Sequence, residues 1–385
     1  MFDYLIIGAG MAGIVLAERI TSVLDKKVLI IEKRNHIGGN CYDHYDENGI
    51  LVHKYGPHIF RTNKKEVWDY LSNFTEWNLY QHEVLGLIDG KKVPVPFNLN
   101  SLEKLLPNSL SEHLEKKLIS EFGYNVKIPI LKLKEIDDED LRFLADFIYE
   151  KVFLNYTIKQ WGMEPKELDS SVTGRVPVYI SRDNRYFQEK YQGLPREGFS
   201  KLFNKMLNNP KIKLMLNTDF KDVIDVDHQN NKIFFLGNEF KGKMIYTGKI
   251  DEFFNYEFGE LPYRSLRFEF ENHNSDYFQE VGTVNYPNEY DFTRITEYKH
   301  LTGQKNFTTS IVKEYPLDYN RKNNSKQIPY YPIPKNENLQ LYAKYNEKAQ
   351  NFSNVIFLGR LAEYKYYGMD DVVNSALKTF GELYE

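Results

Sequence analysis

We predict an α/β protein in which a parallel-sheet domain is interrupted by a helical domain and by an antiparallel β-sheet domain. Three patterns lead to this prediction. Residues 4–39 read as strand, glycine turn, helix, strand and a second glycine pair, which is the βαβ order of a parallel sheet. Apolar residues then recur with a helical period from 101 to 162, and they alternate as in strands beyond residue 179.

The N-terminal βαβ unit carries a glycine fingerprint. Residues 4–7 predict a buried strand, and Gly8, Gly10 and Gly13 follow it at the start of a helix. In this Rossmann-type turn, the first glycine permits the tight turn, the second lets the backbone approach a pyrophosphate, and the third lets the helix pack on the strand. The exposed N–H groups of the helix then bind the pyrophosphate. The pattern therefore predicts a dinucleotide site.

The residues after the second strand indicate which dinucleotide binds. Glu32 is placed to accept hydrogen bonds from an adenosine ribose, and its charge would repel a 2′-phosphate. The pair Gly38-Gly39 resembles the long fingerprint of FAD enzymes, so we expect FAD. The residues expected to contact it lie in the glycine turn, after the second strand and at the glycine pair: Gly8, Gly10, Met11, Ala12, Gly13, Glu32, Lys33, Arg34, Gly39 and Asn40.

The other predicted elements follow in order along the chain. A helix beginning in the acidic run 136–140 fits the preference of helix N-termini for negative charge. Strands are expected at 50–55, 211–216, 222–226, 232–236, 244–246, 264–271, 281–286, 292–298, 307–312 and 355–358, and a short helix at 64–74. The polar, proline-bearing stretch 313–334 is predicted to be a loop. Asp370-Asp371 is a capping signal for a last helix that returns to the cofactor.

A chain of 385 residues exceeds the size of a single core, so we expect several domains. The expected boundaries join segments distant in sequence: a FAD-binding domain at 1–75, 195–262 and 340–385, a helical domain with a mobile lid at 101–178, and an antiparallel sheet substrate domain at 76–100, 179–194 and 263–339.

Composition excludes several function classes. A net charge of −4 gives no field for a polyanion, so we expect no nucleic-acid partner. The one cysteine, Cys41, excludes an internal disulfide framework and a cysteine-cluster metal site, and we expect no metal. The N-terminus enters the first strand directly and no apolar run is long enough to span a bilayer, so we expect a cytoplasmic protein without membrane insertion.

Eight further motifs carry a resemblance to a known family. They span nearly the whole chain in the same order: Tyr55-Gly-Pro-His58-Ile-Phe60, Pro96-Phe-Asn98-Leu-Asn100, Gln160-Trp-Gly162, Arg175-Val-Pro-Val178, Tyr191-Gln-Gly-Leu-Pro195, Thr293-Arg-Ile-Thr-Glu297, Pro329-Tyr-Tyr-Pro-Ile333 and Gly359-Arg-Leu361. Together they resemble the bacterial UDP-galactopyranose mutases. These motifs are far more specific than the glycine fingerprint.

The resemblance implies an isomerase that uses FAD without net oxidation. Reduced FAD would attack the anomeric carbon of a UDP-hexose through N5, forming a glycosyl adduct while UDP leaves. The sugar ring would open and close again as a furanose before UDP returns. Covalent catalysis of this kind divides one difficult isomerisation into easier steps. The product would serve as a furanose donor for cell-surface polysaccharides.

The resemblance also implies roles for individual residues. Arg175, beside the lid glycine Gly174, and Arg294 would close on the diphosphate, where arginine's planar fork suits phosphate. His58 would lie against the flavin. The remaining implied contacts are with substrate (Asn98, Tyr156, Trp161, Tyr186, Asn285, Tyr331 and Tyr366) and with cofactor (Arg360, Met369 and Asp370).

Two positions depart from the family pattern. Arg61 stands where the family usually has histidine, and its length and many donors suggest a different sugar substituent. We therefore expect UDP-N-acetylgalactosamine as substrate, either with UDP-galactose or instead of it. Gly368 replaces a common aspartate, which puts a carboxylate role there in doubt, although Asp370 is retained.

Two other function classes share parts of this pattern. An ordinary FAD oxidase or dehydrogenase, such as an amine oxidase, has the same fingerprint but needs no paired diphosphate arginines. A non-catalytic protein that binds flavin or a nucleotide sugar would leave the ring form unchanged. For the mutase we also expect an electron donor of unidentified nature and a homodimer.

Overall fold

The computed structural model describes residues 2–167, 177–323 and 327–384. A five-stranded parallel sheet has the order β12-β2-β1-β16-β22. These strands are β1 Tyr4–Ile7, β2 Val28–Ile31, β12 Ile212–Met215, β16 Lys243–Tyr246 and β22 Val355–Phe357. The first two and the last three come from distant parts of the chain, so the parallel sheet is built from both ends of the sequence.

A seven-stranded sheet has the order β21-β17-β20-β19-β18-β7-β8. Its strands are β7 Val84–Ile88, β8 Lys91–Val95, β17 Tyr263–His273, β18 Thr283–Asn285, β19 Arg294–Glu297, β20 Thr309–Asp318 and β21 Tyr331–Pro332. Neighbouring strands are antiparallel except β18 and β7, which run parallel. The predicted antiparallel sheet is therefore confirmed with one parallel pair.

Smaller sheets complete the strand inventory of the described residues. They contain β3 Asp43–Tyr45 with β4 Leu51–His53; β5 Phe60–Thr62, β6 Trp77–Leu79 and β11 Tyr191–Pro195; β9 Val126–Ile128 with β10 Val178–Ile180; and β13 Ile224–Asp227, β14 Lys232–Phe235 and β15 Asn238–Glu239. The strand β9 lies inside the stretch that was predicted to be helical throughout.

Twelve α-helices are described. They are α1 Met11–Val23, α2 Lys65–Ser72, α3 Leu99–Leu105, α4 Asn108–Phe122, α5 Ile130–Leu133, α6 Glu139–Ile148, α7 Asn155–Trp161, α8 Phe199–Met206, α9 Ile250–Phe253, α10 Tyr298–Thr302, α11 Asn336–Ala349 and α12 Met369–Tyr384. A π-helical turn, Tyr149–Leu154, joins α6 to α7. Such turns are rare and are frequent at functional sites.

The helix α1 packs closely on β1, as the third fingerprint glycine predicts. A Cβ on Gly13 would lie 2.2 Å from the backbone oxygen of Gly8, so only glycine fits there. The helix also contacts α12. The last helix of the chain is thereby held against the first βαβ unit.

The helical insertion packs around a hydrophobic core that it shares with strands β7 and β8, and to which it contributes Leu114, Leu118, Leu141 and Leu144. The helix α6 begins where the acidic run predicted, because the Asp138 side chain accepts hydrogen bonds from the N–H groups of residues 140 and 141. Burial of these leucines together with such caps accounts for helix formation.

One predicted loop was wrong in part. The strand β20 continues to Asp318, six residues into the stretch 313–334 that was predicted to be a loop, because it pairs with β17 along its full length. Within residues 2–167, 177–323 and 327–384, no helix is both long and apolar enough to cross a bilayer. The described residues also form no cluster of three or more His, Cys, Asp or Glu side chains that could hold a metal ion.

Candidate active site

A cavity of about 1050 Å³ begins at the carboxyl edge of the parallel sheet and reaches the seven-stranded sheet. The volume exceeds the usual upper range for pockets that hold one drug-sized ligand. Gly8, Glu32, Thr247 and Gly359, which follow four of the parallel strands, line its first part. Strand order reverses between β1 and β16, and ligands of open α/β sheets bind at such a point.

The glycine segments leave open space at the start of α1. Gly8 has φ +104°, and a Cβ there would lie 2.2 Å from the hydroxyl oxygen of Thr247. Gly10 precedes α1, and a Cβ on it would meet no atom within 4 Å. The second glycine pair closes this space from one side, since the Gly38 N–H donates to the carbonyl of Ala9 at 2.7 Å. The N–H groups of α1 are thus accessible to a pyrophosphate.

The Glu32 carboxylate is fixed by the backbone. It accepts hydrogen bonds from the N–H groups of Ala9 and Arg34, both at 2.8 Å, one to each oxygen. Each oxygen keeps a lone pair for a ribose hydroxyl. The predicted role of Glu32 therefore has the geometry it needs.

Arg34 lies beside the glycine turn and has a hydrogen-bond donor that is not satisfied by the described residues. Its Nη2 donates to Asn40 at 3.0 Å and its guanidinium carbon lies 4.5 Å from the ring centre of Tyr55. Its buried Nη1 has no hydrogen-bond partner in the described part of the chain. An unsatisfied buried donor is costly, and a bound anion such as a pyrophosphate would satisfy it. The cradle therefore fits FAD.

A single row of paired residues crosses the seven-stranded sheet and forms the floor of the second part of the cavity. Gly86 pairs with Asn285, Asn285 with Arg294, and Arg294 with Glu314. Side chains in one such row point to the same face. The Oδ1 atom of Asn285 is buried and has no hydrogen-bond partner among the described residues.

Arg294 and Glu314 form an ion pair on this floor, with Nε 2.8 Å from Oε1. The Glu314 side chain is 1% exposed and that of Arg294 is 27% exposed. Burial raises the pKa of Glu314, and the Arg294 charge opposes that rise. Burial works against the charge of Arg294, but Glu314 and the surrounding tyrosines hold its pKa well above its ordinary value. Arg294 is therefore a permanent cation inside the cavity.

His58 presents an acceptor nitrogen. Its Nδ1 lies 2.8 Å from the carbonyl oxygen of Gly56, which can only accept, so Nδ1 carries the proton and Nε2 a lone pair. The His58 backbone N–H donates to Nδ1 of His53 at 2.9 Å. Burial lowers the pKa of His58 to about 3 and that of His53 to about 4. Both imidazoles are neutral at physiological pH.

Aromatic side chains form one wall. The ring of Trp161 lies 6.0 Å from that of Tyr331 and 5.7 Å from that of Tyr366. Burial raises the pKa values of Tyr156 and Tyr331, so both remain protonated donors. Arg360 lies against this group, with its guanidinium carbon 5.9 Å from the Tyr331 ring.

The start of α12 also reaches the cavity. Met369 and Asp370 line it, and the Asp370 carboxylate accepts a hydrogen bond from the Thr62 hydroxyl at 3.1 Å. A Cβ on Gly368 would lie 2.7 Å from Asp370 Oδ1. The glycine at position 368 therefore leaves room for the carboxylate of Asp370.

The cavity brings together most of the predicted site residues. Those that line it are Gly8, Gly10, Met11, Ala12, Glu32, Lys33, Arg34, Gly39, Asn40, His58, Arg61, Tyr156, Trp161, Tyr186, Asn285, Arg294, Tyr331, Arg360, Tyr366, Met369 and Asp370. Gly13 does not line it and serves helix packing instead. Arg175 lies outside the described residues. The predicted lid at 167–174 also lies outside them, except for Glu167.

Asn98, which is predicted to bind substrate, does not line the cavity in the structure. Its side chain caps α3, where Oδ1 accepts a hydrogen bond from the Ser101 N–H at 3.0 Å. The Ser101 side chain in turn accepts a hydrogen bond from the backbone N–H of Asn98. The capping box uses Oδ1 and the backbone N–H of Asn98, and Nδ2 donates to Asp183 and Asn184.

Sequence reasoning missed several cavity residues. His82, Phe187 and Lys249 line the cavity, and Glu314 supports Arg294. The register of the strands places Glu314 next to Arg294, and no local sequence pattern indicates this contact. Phe187, by contrast, directly follows Tyr186 and could have been included with it.

The fold and the cavity define a flavin-dependent enzyme with a substrate chamber next to its FAD cradle. A family model for UDP-galactopyranose mutase matches residues 151–366, and one for an NAD(P)-binding Rossmann-like domain matches residues 6–74.

Comparison with relatives of similar length identifies the same family. UDP-galactopyranose mutase of Mycoplasma genitalium is 39% identical over 99% of this chain and 95% of its own. The dTDP-fucopyranose mutase of Escherichia coli is 35% identical over 98% of this chain and 97% of its own. A crystal structure of reduced UDP-galactopyranose mutase matches with TM-score 0.74 at 16% identity, covering 100% of this chain and 96% of that one.

The chain belongs to the UDP-galactopyranose mutase family. It is a flavin-dependent sugar mutase, an isomerase whose cofactor is FAD.

Proposed function

We propose that this isomerase interconverts the pyranose and furanose forms of UDP-galactose, UDP-N-acetylgalactosamine, or both, and supplies furanose donors for cell-surface polysaccharides. The observation that carries the proposal is the continuity of the cavity. The FAD cradle at Gly8 and Glu32 opens directly onto the chamber that contains Arg294. A sugar nucleotide in that chamber reaches the flavin without leaving the protein.

The proposed roles combine the lining of the cavity with the roles that the family resemblance implies. When bound and reduced, FAD supplies a nucleophilic N5 to the anomeric carbon without net oxidation. Arg294 holds the diphosphate as charge develops on it, together with Arg175 from the segment outside the described residues. The hydroxyls of Tyr156 and Tyr331 donate to phosphate oxygens. His58 keeps its Nε2 lone pair directed to the flavin side.

The helix α12 is the proposed electrostatic partner of the flavin. Its first residue, Met369, lines the cavity, so the positive end of the helix dipole lies at the cofactor site. A reduced, anionic flavin is stabilised by such a helix N-terminus. We further propose the three-domain division given above, a homodimer in the cytoplasm, and a separate electron donor that keeps the flavin reduced.

Arg61 is the proposed determinant of the sugar. It lines the cavity with Phe187, whose ring centre lies 4.2 Å from the guanidinium carbon of Arg61. An acetamido group offers a carbonyl acceptor to the guanidinium and a methyl group to the ring. A hydroxyl at the same position offers less to either side chain. The pair therefore favours a 2-acetamido sugar.

A dTDP-sugar is a second candidate substrate. The cavity also has a purely apolar group of lining residues, Ile88, Val95, Ile130, Val152 and Phe153. A 5-methyl group on the pyrimidine would be buried favourably among such side chains. The relative named dTDP-fucopyranose mutase motivates testing this nucleotide beside the UDP-sugars.

The test is turnover by the reduced protein. Dithionite-reduced holoenzyme is incubated anaerobically with each UDP-sugar and with a dTDP-sugar, and the ring isomers are separated by chromatography. We expect interconversion of at least one UDP-sugar only in the reduced state and without consumption of an oxidant. Binding of UDP without any change of ring form in the reduced protein would overturn the proposal, and stoichiometric oxidation would identify an oxidase.

A further inference from the structure

We propose that Glu189 is a positioning residue that sets the choice of sugar by orienting and neutralising Arg61. This inference rests on the proposed function and deepens it. It starts from an ion pair between Arg61 Nη1 and Glu189 Oε1 at the edge of the chamber. The two side chains are 28% and 23% exposed, so both are largely shielded from water.

The segment that carries Glu189 is built to hold the carboxylate in place. Gln192 lies directly opposite Arg61 in the pairing of β11 with β5. Its Nε2 donates to the backbone oxygens of Glu189 and Phe187, at 2.7 and 3.1 Å. The Lys190 N–H donates to Asn63 at 2.8 Å. The strand pair that positions Arg61 therefore also positions its acidic partner.

The ion pair and the ring fix the guanidinium from two directions. Glu189 engages Nη1, and Phe187 lies 4.2 Å from the guanidinium carbon. No other hydrogen bond joins the Arg61 guanidinium to the part of the chain that the structure describes. Because guanidinium has five donors in a rigid fork, its remaining N–H groups are free to donate into the cavity.

Neutralisation by Glu189 has a consequence for specificity. A second unpaired arginine in the chamber of Arg294 would be attracted to the diphosphate, because arginine binds phosphate strongly. Paired with a carboxylate, Arg61 is instead a neutral unit with directed donors, suited to an uncharged amide carbonyl. With Glu189 as its partner, Arg61 thus recognises the sugar substituent, and Arg294 binds the diphosphate.

The experiment compares five reduced holoenzymes: wild type, Glu189→Gln, Glu189→Asp, Arg61→His, and the double variant Arg61→His with Glu189→Gln. For each, kcat and KM are measured with UDP-galactofuranose and with its 2-acetamido counterpart, and the affinity for UDP alone is measured by titration. Asp183→Asn is the matched control, since Asp183 pairs with Arg185 in the same segment but outside the cavity lining.

We expect Glu189→Gln to lower kcat/KM about tenfold for the acetamido sugar, which is about 1.4 kcal/mol, and less than threefold for the galactose nucleotide. Glu189→Asp should restore most of the loss. In the Arg61→His background, Glu189→Gln should have no further effect. UDP should bind Glu189→Gln at least as tightly as wild type, and Asp183→Asn should change neither ratio nor affinity.

The outcomes separate the two proposals. Equal losses for both sugars, weaker UDP binding, or a full effect of Glu189→Gln without Arg61 would overturn the positioning role while leaving mutase activity intact. Absence of any ring interconversion in wild type would overturn the proposed function itself. Wild type that turns over only the galactose nucleotide would overturn the assignment of Arg61 and of Glu189 together.

Discussion

Arg294 and Glu314 face each other on the cavity floor, with Nε of the arginine 2.8 Å from Oε1 of the glutamate. The two residues are directly paired across β19 and β20. The buried carboxylate holds a cation at the place proposed above for the diphosphate. This relationship leads to the first two predictions.

Glu314→Gln should leave Arg294 as an unpaired charge in a largely buried position. We expect the free energy of unfolding to fall by about 3 kcal/mol, because removing one partner of a buried ion pair is strongly destabilising. Added UDP should raise the melting temperature more in this variant than in wild type, since the nucleotide supplies the missing negative charge. Calorimetry with and without UDP measures both effects.

The control for this variant is Glu269→Gln, which removes a surface carboxylate that contacts Arg267 and Tyr315 on the same sheet. It should melt within about 2 °C of wild type, as surface substitutions usually do. An equal response of both variants to UDP would contradict a special role for Glu314.

Arg294→Lys keeps the charge but loses the planar fork. We expect kcat/KM for the UDP-sugar to fall about 100-fold, in the range seen when one preorganised donor to a developing negative charge is removed. Steady-state kinetics of the reduced enzyme gives the value. Arg267→Lys, at an exposed arginine of the same sheet, should retain wild-type kinetics. A loss confined to KM would mean that Arg294 binds substrate and transition state equally.

Stability should depend on pH through buried histidines, of which His53 and His82 are examples. Burial lowers the pKa of His53 to about 4 and that of His82 to about 3, from an ordinary value of 6.5. Between pH 6.5 and 4 the unfolded chain binds protons that the native state excludes, so stability should fall as pH falls through this window. The urea midpoint at pH 7, 6 and 5 measures the slope.

Variants test the assignment of that slope. His53→Gln, which keeps an acceptor for the His58 N–H, should flatten the dependence between pH 7 and 5. His44→Gln, at an exposed position, should not change it. Parallel curves for all three proteins would exclude His53 as the source.

Two glycines of the fingerprint should respond differently to alanine. A Cβ on Gly10 would meet no protein atom within 4 Å, whereas one on Gly13 would lie 2.2 Å from a backbone oxygen. Gly10→Ala should therefore leave the melting temperature of the apoprotein unchanged but weaken FAD binding at least tenfold, because only the cofactor approaches that position.

Gly13→Ala should destabilise the apoprotein itself. FAD titration and thermal unfolding of the apoproteins separate the two cases, and an unchanged FAD affinity in Gly10→Ala would contradict the proposed approach of the pyrophosphate.

Much of the cofactor cradle could be predicted from sequence because its determinants are local. Gly8, Gly10 and Gly13 act on a single turn, and Glu32 follows one strand later. The predicted loop at 313–334 was wrong at its start and also near its end, where Tyr331–Pro332 form a strand that pairs with β17. In the sheet, Pro316 lies opposite Leu266 of β17, and the pairing continues past it to Asp318.

The sequence by itself determined the fold class, the dinucleotide fingerprint and the family motifs, because each depends on residues close together in the chain. Tertiary structure alone decided that Glu314 supports Arg294 and that Glu189 engages Arg61. The physical reason is strand register. It joins residues as distant as Gly86 and Glu314 in one row, and neither periodicity nor motif spacing encodes which side chains share that row.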